Sequence, residues 1–379
     1  MTKNKLNVLS CFDGISCGRV ALERAGIEID KYYSSEIDKH AIAIASKNYP
    51  DTIQLGNIND IEFENYAGKI DLLIGGSPCT NLSSAGDRTG LAGEQSRLFF
   101  KFIEALEKIK PKYFLLENVA SMTIANKNAI SSYMKVEPIE INSNLVSAQN
   151  RKRLYWTNIE INGLPVDKNI KLKDILLEED QIEEKYYINN IKEIKWIVNP
   201  EKIKKGYTSI DGEKAMAMRA RQYANWNGSY IKRPLKLIEL GNGAQGQRVY
   251  SIEGNSVSIS ALGGGWGART GLYLVASRGR NIVDGKRKDI LHAPTQQQLE
   301  SRDDEKTNCL TTVSKDNYLI IELDGKFYRI RKLTPIECER LQTLPDNYTD
   351  GISDSQRWKT LGNGWTVDII THILKGIKQ

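Results

Sequence analysis

The residues best suited to covalent chemistry stand at the ends of short apolar runs. In Leu72-Leu73-Ile74-Gly75-Gly76-Ser77-Pro78-Cys79, a buried-strand pattern closes on two glycines, a proline and a thiol. Gly75 and Gly76 let the chain turn and a ligand approach the backbone. Pro78 fixes its own φ and extends Ser77, so Cys79 is held stiffly at the carboxyl edge of a sheet, where open α/β sheets bind ligands. A thiol displayed there is a candidate nucleophile, although most free cysteines are small buried hydrophobes. Glu117 ends the next apolar strand, Pro111 to Val119, and has the placement of a proton partner. Strand alternation from Arg151 puts Arg151, Arg153 and Tyr155 on one face and Lys152, Leu154 and Trp156 on the other. Two guanidiniums on one side make a clamp for oxygens or phosphates, or else a solvated charge pair.

The elements that must position these groups alternate strand and helix. Leu6 to Ser10 reads as a first strand, running through Cys11-Phe12-Asp13-Gly14-Ile15-Ser16-Cys17-Gly18 into a helical pattern that stops at Gly26. Strand, glycine turn and helix open a nucleotide-binding βαβ unit. Tyr32 to Glu36 is a second strand whose terminal acid is placed for ribose hydroxyls. Helix 38–48, strand 52–55 and the turn Gly56-Asn57-Ile58 follow. Asp13 inside the glycine turn would repel a pyrophosphate but suits the ammonium and sulfonium of S-adenosylmethionine. Small residues and glycines over 80–93 suggest a lid, and Arg97 to Lys108 an amphipathic helix. From 166 to 325 the βαβ rhythm stops, and Arg, Gln, Tyr and Trp interleave with glycines, as in Met218-Arg219-Ala220-Arg221-Gln222-Tyr223. That mixture suits reading of nucleic acid. Thr334, Pro335 and Glu337 make a capping box for a helix ending near Gln342, and the turn at Gly362-Asn363 leads into a final helix, Val367 to Leu374.

At 379 residues, with 40% hydrophobic and 26% charged, the chain has material for two ordinary domains. No apolar run is long enough to span a bilayer, and no signal-peptide pattern opens the chain. Five cysteines without metal-ligand spacing fit reduced thiols and no metal site. Residues 1–150 hold 16 Lys and Arg against 18 Asp and Glu, the remainder 37 against 29, so a polyanion would dock mainly on the later part.

With the pieces in this order the chain resembles the DNA (cytosine-5) methyltransferases, bacterial and phage type, over about 1–160 and 328–379. The likeness rests on Phe12-x-Gly14-x-x-x-Gly18, Pro78-Cys79, Glu117-Asn118-Val119, Gln149-x-Arg151-x-Arg153, the Arg331-to-Gln342 helix and Gly362-Asn363. Phe12-Asp13-Gly14, Gly75-Gly76-Ser77-Pro78-Cys79 and Arg153-Leu154-Tyr155-Trp156 are similar to the animal de novo branch. The resemblance implies an α/β, Rossmann-like catalytic and cofactor-binding domain over 1–165 and 326–379, and a smaller, mainly irregular or β target-recognition domain over 166–325. It implies methyl transfer from S-adenosylmethionine, leaving S-adenosylhomocysteine, to C5 of a flipped cytosine in a specific double-stranded DNA sequence. Cys79 would add to C6, Glu117 would contact N3, Arg153 would bind O2, and Arg151 would orient Cys79 and Glu117. Phe12, Asp13, Gly14, Ile15, Gly18, Glu36, Ile37, Asn57, Ile58, Pro78, Leu98, Asn363 and Trp365 would hold the cofactor, and Ser83, Arg88 and Arg97 the DNA.

The family setting suggests a monomer in the cytoplasm of a bacterial or phage-infected cell, DNA-associated, with a restriction endonuclease as a candidate companion. This chain departs from the family in Asn57 for an Asp, Thr80 for a Gln, Cys17 for a Gly, and Trp365 for a small or aliphatic residue. The alternatives are a tRNA cytosine-5 methyltransferase, opposed by the long variable region, and a silent DNA-binding homologue, opposed by the full catalytic set. A NAD-dependent oxidoreductase rests on the first glycine turn alone.

Overall fold

The computed structural model describes residues 5–77, 97–234 and 326–378, together with strand backbone at 272–280, 282–283, 286–287, 296–302 and 317–323. The chain divides into two units. The first comprises Met1–Leu176, Glu213–Asn225 and Pro335–Gln379, the second Leu177–Gly212 and Trp226–Thr334.

In the first unit the apolar runs expected as strands form β1 (Leu6–Cys11), β2 (Ile29–Ser35), β3 (Ile53–Gln54), β4 (Leu72–Gly76) and β5 (Tyr113–Val119), all parallel. With β6 (Ile139–Asn142) and β8 (Lys152–Thr157) they make a seven-stranded sheet in the order β3-β2-β1-β4-β5-β8-β6, in which β8 runs antiparallel to both neighbours; the short β7 (Gln149–Asn150) lies outside it. The strand order reverses between β1 and β4, and a ligand crevice opens at that switch point in open α/β sheets. Helices α1 (Cys17–Arg24), α2 (Lys39–Asn48), α3 (Arg97–Ile109) and α4 (Ile124–Met134) supply the crossovers, and the caps of two are explicit. Asp38 accepts from the N–H groups of His40 and Ala41, and Thr123 from that of Asn126.

One face of the sheet packs Leu9, Leu73, Leu116, Leu154 and Trp156 against Phe99, Phe102 and Ile103 of α3. The helix comes so close that a Cβ on Gly75 would sit 2.9 Å from Phe102 and 3.0 Å from the Cys11 carbonyl. Gly75 and Gly76 are therefore strand residues chosen for space rather than for the sharp turn the sequence suggests.

Three further features differ from expectation. A polar helix, Asp354–Asn363, precedes the expected Val367–Leu374 helix, so Gly362 and Asn363 form its last turn. Ala215–Met216 pairs in parallel with Gln149–Asn150, which places 213–225 in the first unit. Strand Lys326–Lys332 belongs to the second unit, where it pairs with Gly228–Pro234 and Asn317–Leu323.

Among its described residues the second unit holds a six-stranded sheet, antiparallel except where Thr208–Ile210 joins Gly228–Pro234, with two short helices, Ile191–Ile197 and Pro200–Lys204. Among the described residues no helix is long and apolar enough to cross a membrane.

Candidate active site

A cavity of about 380 Å3 opens in the first unit at the carboxyl ends of β1, β2, β4 and β5. Its described walls include Phe12, Asp13, Gly14, Glu36, Ile37, Asn57, Ile58, Leu98, Glu117, Arg151, Arg153, Asn363 and Trp365, which the sequence reading brings to one site. Pro78, Cys79, Ser83 and Arg88, with the loop 80–93, lie outside the described residues. Arg97, the first residue of α3, is exposed and is not part of the wall.

The glycine turn is built by left-handed backbone at Phe12, Gly14 and Ser16, with φ of 59°, 61° and 59°. Glu36 holds the turn in place. Its Oε2 accepts from the Gly14 N–H at 2.8 Å, and its Oε1 from those of Ile37 (2.8 Å) and Asp38 (2.9 Å). Beside it the Ile37 side chain is 72% exposed, an aliphatic face open to a flat ring. Asn57 caps the short turn after it, its Oδ1 accepting from the Asn59 N–H at 3.1 Å.

Three residues expected on the cofactor have packing or hydrogen-bond partners within the protein. Asp13 is buried and accepts from Ser16 Oγ (2.5 Å), Tyr32 Oη (2.7 Å) and Ser34 Oγ (3.1 Å). Burial pushes its carboxyl above the usual range, against the pull of those hydroxyls. Its lone pairs are turned into the protein, so it buckles the turn to β2 instead of offering a free charge to an ammonium. Ile15 is fully buried, and its carbonyl accepts from Tyr348 Oη at 2.7 Å. Gly18 is absent from the wall: a Cβ there would lie 2.5 Å from Ile74 Cδ1 and 3.3 Å from Trp365 Cζ3.

At the other end of the cavity, Glu117 stands two residues before the end of β5. Its Oε1 pairs with Arg153 Nε at 2.8 Å, and its Oε2 accepts from Trp365 Nε1 at 3.2 Å. Both oxygens of a carboxylate only 8% exposed are thus held. Asn118 donates from Nδ2 to Ser77 Oγ at 3.1 Å, which ties the end of β5 to the residue preceding Pro78. The sequence shows Asn118 only as part of Glu117-Asn118-Val119, and Trp365 only as a candidate for the cofactor wall. The bond to Glu117 had no local signal, because 248 residues separate the partners.

The two arginines diverge rather than form one clamp. Arg153 serves Glu117, whereas Arg151, 3% exposed, donates to the carbonyls of Met218 (2.9 Å), Gly362 (3.2 Å) and Gly364 (2.9 Å). Cys17, also in the wall, is a buried thiol. Desolvation pushes it up to about 12, opposed by a hydrogen bond from the Trp365 backbone, which leaves it neutral.

A doubly wound sheet with a glycine turn, a strand-end carboxylate and an Arg-paired Glu around one cavity defines a Rossmann-like methyltransferase domain. The profile of the C-5 cytosine-specific DNA methylases matches residues 6–379, and the chain belongs to that family. It is 28% identical to the orphan methyltransferase M.SPRI of Bacillus phage SPR, covering 98% of this chain and 97% of that one. It is 26% identical to the orphan methyltransferase M.Rho11sI of Bacillus phage rho11s, with the same coverage. Among solved structures, the Entamoeba histolytica methyltransferase EhMeth shares the fold (TM-score 0.60, 15% identity, 98% of both chains). So does the S. pombe Dnmt2 methyltransferase (TM-score 0.57, 14% identity, 98% of this chain and 97% of that one).

The protein is accordingly a cytosine-5 methyltransferase whose methyl donor is S-adenosylmethionine. The cavity fits such a donor in its make-up: the acid Glu36, the exposed aliphatic side chain of Ile37 and the neutral amide of Asn57 line it together.

Proposed function

We propose that the enzyme methylates C5 of a cytosine flipped out of a specific double-stranded DNA sequence, through a covalent bond between Cys79 and C6. The observation that carries this reading is Glu117, buried and paired with Arg153 at 2.8 Å, in the same cavity as Glu36 and Ile37. Bound S-adenosylmethionine supplies an electrophilic methyl group on a sulfonium and leaves as S-adenosylhomocysteine. C5 of cytosine is too weak a nucleophile to take that methyl unaided. Addition of the Cys79 thiolate at C6, with Glu117 sharing a proton with N3 and Arg153 at O2, gives C5 enamine character. After transfer, loss of the C5 proton and departure of the thiolate restore the ring. Extruding the base costs on the order of a few kcal/mol, which contacts from the lid, Ser83 and Arg88 would offset. Arg97 is assigned to a backbone phosphate, and the second unit to reading the sequence.

Labelled S-adenosylmethionine incubated with duplex DNA, tRNA or no acceptor tests the reading. Label should enter DNA as 5-methylcytosine, and incorporation into tRNA alone would replace this proposal with the tRNA reading. Duplexes carrying 5-fluorocytosine at the target should trap the wild type covalently and leave Cys79→Ala untrapped. A companion endonuclease belongs to the same proposal, with protection of the methylated site from cleavage as its readout.

A further inference from the structure

The indole of Trp365 reaches into the end of the cavity that holds Glu117. Its Nε1 donates to Glu117 Oε2 at 3.2 Å, opposite the Arg153 contact at 2.8 Å on Oε1. Trp365 and Glu117 are 9% and 8% exposed, so the bond is shielded from water. Two glycines make the room. A Cβ on Gly76 would stand 2.8 Å from Trp365 Nε1 and 3.1 Å from Glu117 Oε2, and one on Gly18 would stand 3.3 Å from the far edge of the ring. The backbone just before the tryptophan is clamped: the Gly364 carbonyl accepts from Arg151 at 2.9 Å and from Gln342 Nε2 at 3.2 Å.

We infer that Trp365 is a positioning residue for Glu117. The indole N–H fixes one carboxylate oxygen while Arg153 fixes the other, which sets the plane in which Glu117 meets the base. By this route Arg151 also acts on Glu117, through Gly364 and the tryptophan that follows it. The inference rests on the proposed role of Glu117 and goes beyond it, since it gives the indole a part in the reaction rather than in cofactor affinity alone.

Trp365→Phe keeps the ring bulk and deletes the donor. A lost hydrogen bond to a charged group sets an expected fall in kcat of roughly 10- to 100-fold. The KM for S-adenosylmethionine and the affinity for S-adenosylhomocysteine should change less than kcat, because phenylalanine keeps an aromatic wall, and single-turnover trapping by 5-fluorocytosine DNA should slow by the same factor as kcat. In a Glu117→Ala background, where no acceptor is left for the indole N–H, the same substitution should add almost nothing.

Gly76→Ala, whose methyl would wedge between indole and carboxylate, is the second variant and should lower kcat with the donor still present. A raised KM with unchanged kcat in Trp365→Phe would make Trp365 cofactor wall only and overturn the inference. So would full additivity with Glu117→Ala, or wild-type kcat in Gly76→Ala. If the wild type transfers no methyl group to DNA, the proposed function fails instead, and the two failures are distinct.

Discussion

Replacing Arg151 with methionine should unfold the protein more easily as well as impair it, and the size of the effect follows from its contacts. The guanidinium is 3% exposed and donates to the carbonyls of Met218, Gly362 and Gly364. Gly364 keeps a second donor, Gln342 Nε2 at 3.2 Å. Met218 and Gly362 lose a charged donor each, at about 1–3 kcal/mol per buried carbonyl left without one, so about 2–6 kcal/mol in all. Methionine fills much of the volume, so the loss is polar rather than a cavity. With a urea slope of about 3 kcal/mol/M the unfolding midpoint should fall by roughly 0.7–2 M. Hydrogen exchange should show 213–225 and 362–366 opening first, because Arg151 joins those two segments. Arg151→Lys keeps one charge but cannot fork to three carbonyls, and should recover only part of the loss. If Arg151→Met unfolded at the wild-type midpoint with an unchanged slope, the guanidinium would not be a structural latch. A kcat loss in that stable variant would then assign it to the reacting groups alone.

Asp13→Asn carries a pH signature. The folded carboxyl holds its proton to higher pH than the unfolded one, whose ordinary value is about 3.9, so wild-type stability from this group falls as pH rises from about 4 towards neutrality. The variant should therefore gain relative to wild type between pH 4.5 and 7.5 in urea midpoints, and a constant difference would refute the raised value. Thiol labelling at pH 8 should spare Cys17, pushed up to about 12, and the buried Cys11 and Cys338, until the protein unfolds; peptide mapping should find Cys79 in the labelled fraction if it is the nucleophile. Gly362→Ala would put a Cβ 2.3 Å from the Arg219 carbonyl carbon and 2.5 Å from Ala220 N, and should cost about 1–3 kcal/mol with lower activity, read as a fall in Tm. Exchanging 226–334 for the matching segment of a relative should change the methylated site in conversion sequencing, and an unchanged site would remove the recognition role from the second unit.

The parallel sheet was legible because its strands are continuous apolar runs, and their ends, where side chains leave the core, carried Glu36 and Glu117. What stayed hidden depends on long-range partners. Asp13 showed a charge but not the three hydroxyls, two of them from β2, that absorb it. Gly18 looked like a ligand glycine, yet it makes room for Ile74 and Trp365. The Arg-rich stretch 218–223 looked like a reader of nucleic acid by composition. Its attachment was not legible: Ala215 N–H on the Ala148 carbonyl and Met218 N–H on Gln149 Oε1, both at 2.8 Å, fold it into the first unit with Arg219 and Arg221 exposed. Helix Asp354–Asn363 has no apolar stripe to announce it. It buries Arg357, whose partner is Glu339, 2.8 Å away, and that pairing is visible only once both are folded.

A count of lone pairs turns these attachments into constraints on the reaction. An ionised carboxylate offers about four acceptor positions. Glu36 gives three to backbone N–H groups, so little beyond one ribose hydroxyl can be accommodated without loosening the glycine turn. Glu117 gives one to Arg153 and one to Trp365, which leaves about two on the edge that would face a base. In the proposed reading one of them accepts from the exocyclic amine of cytosine, while the other faces N3, itself an acceptor in the neutral base, so that contact needs a proton shared between Glu117 and N3; uracil would present a carbonyl oxygen in place of the amine and repel the first. The bonds that hold the buried carboxyl would thereby also favour cytosine over uracil. It follows that Trp365→Phe, by freeing one oxygen to rotate, should weaken discrimination against uracil in a mismatched duplex more than it weakens cofactor binding. Gel-shift competition between the two bases would measure this, and equal discrimination in variant and wild type would contradict it.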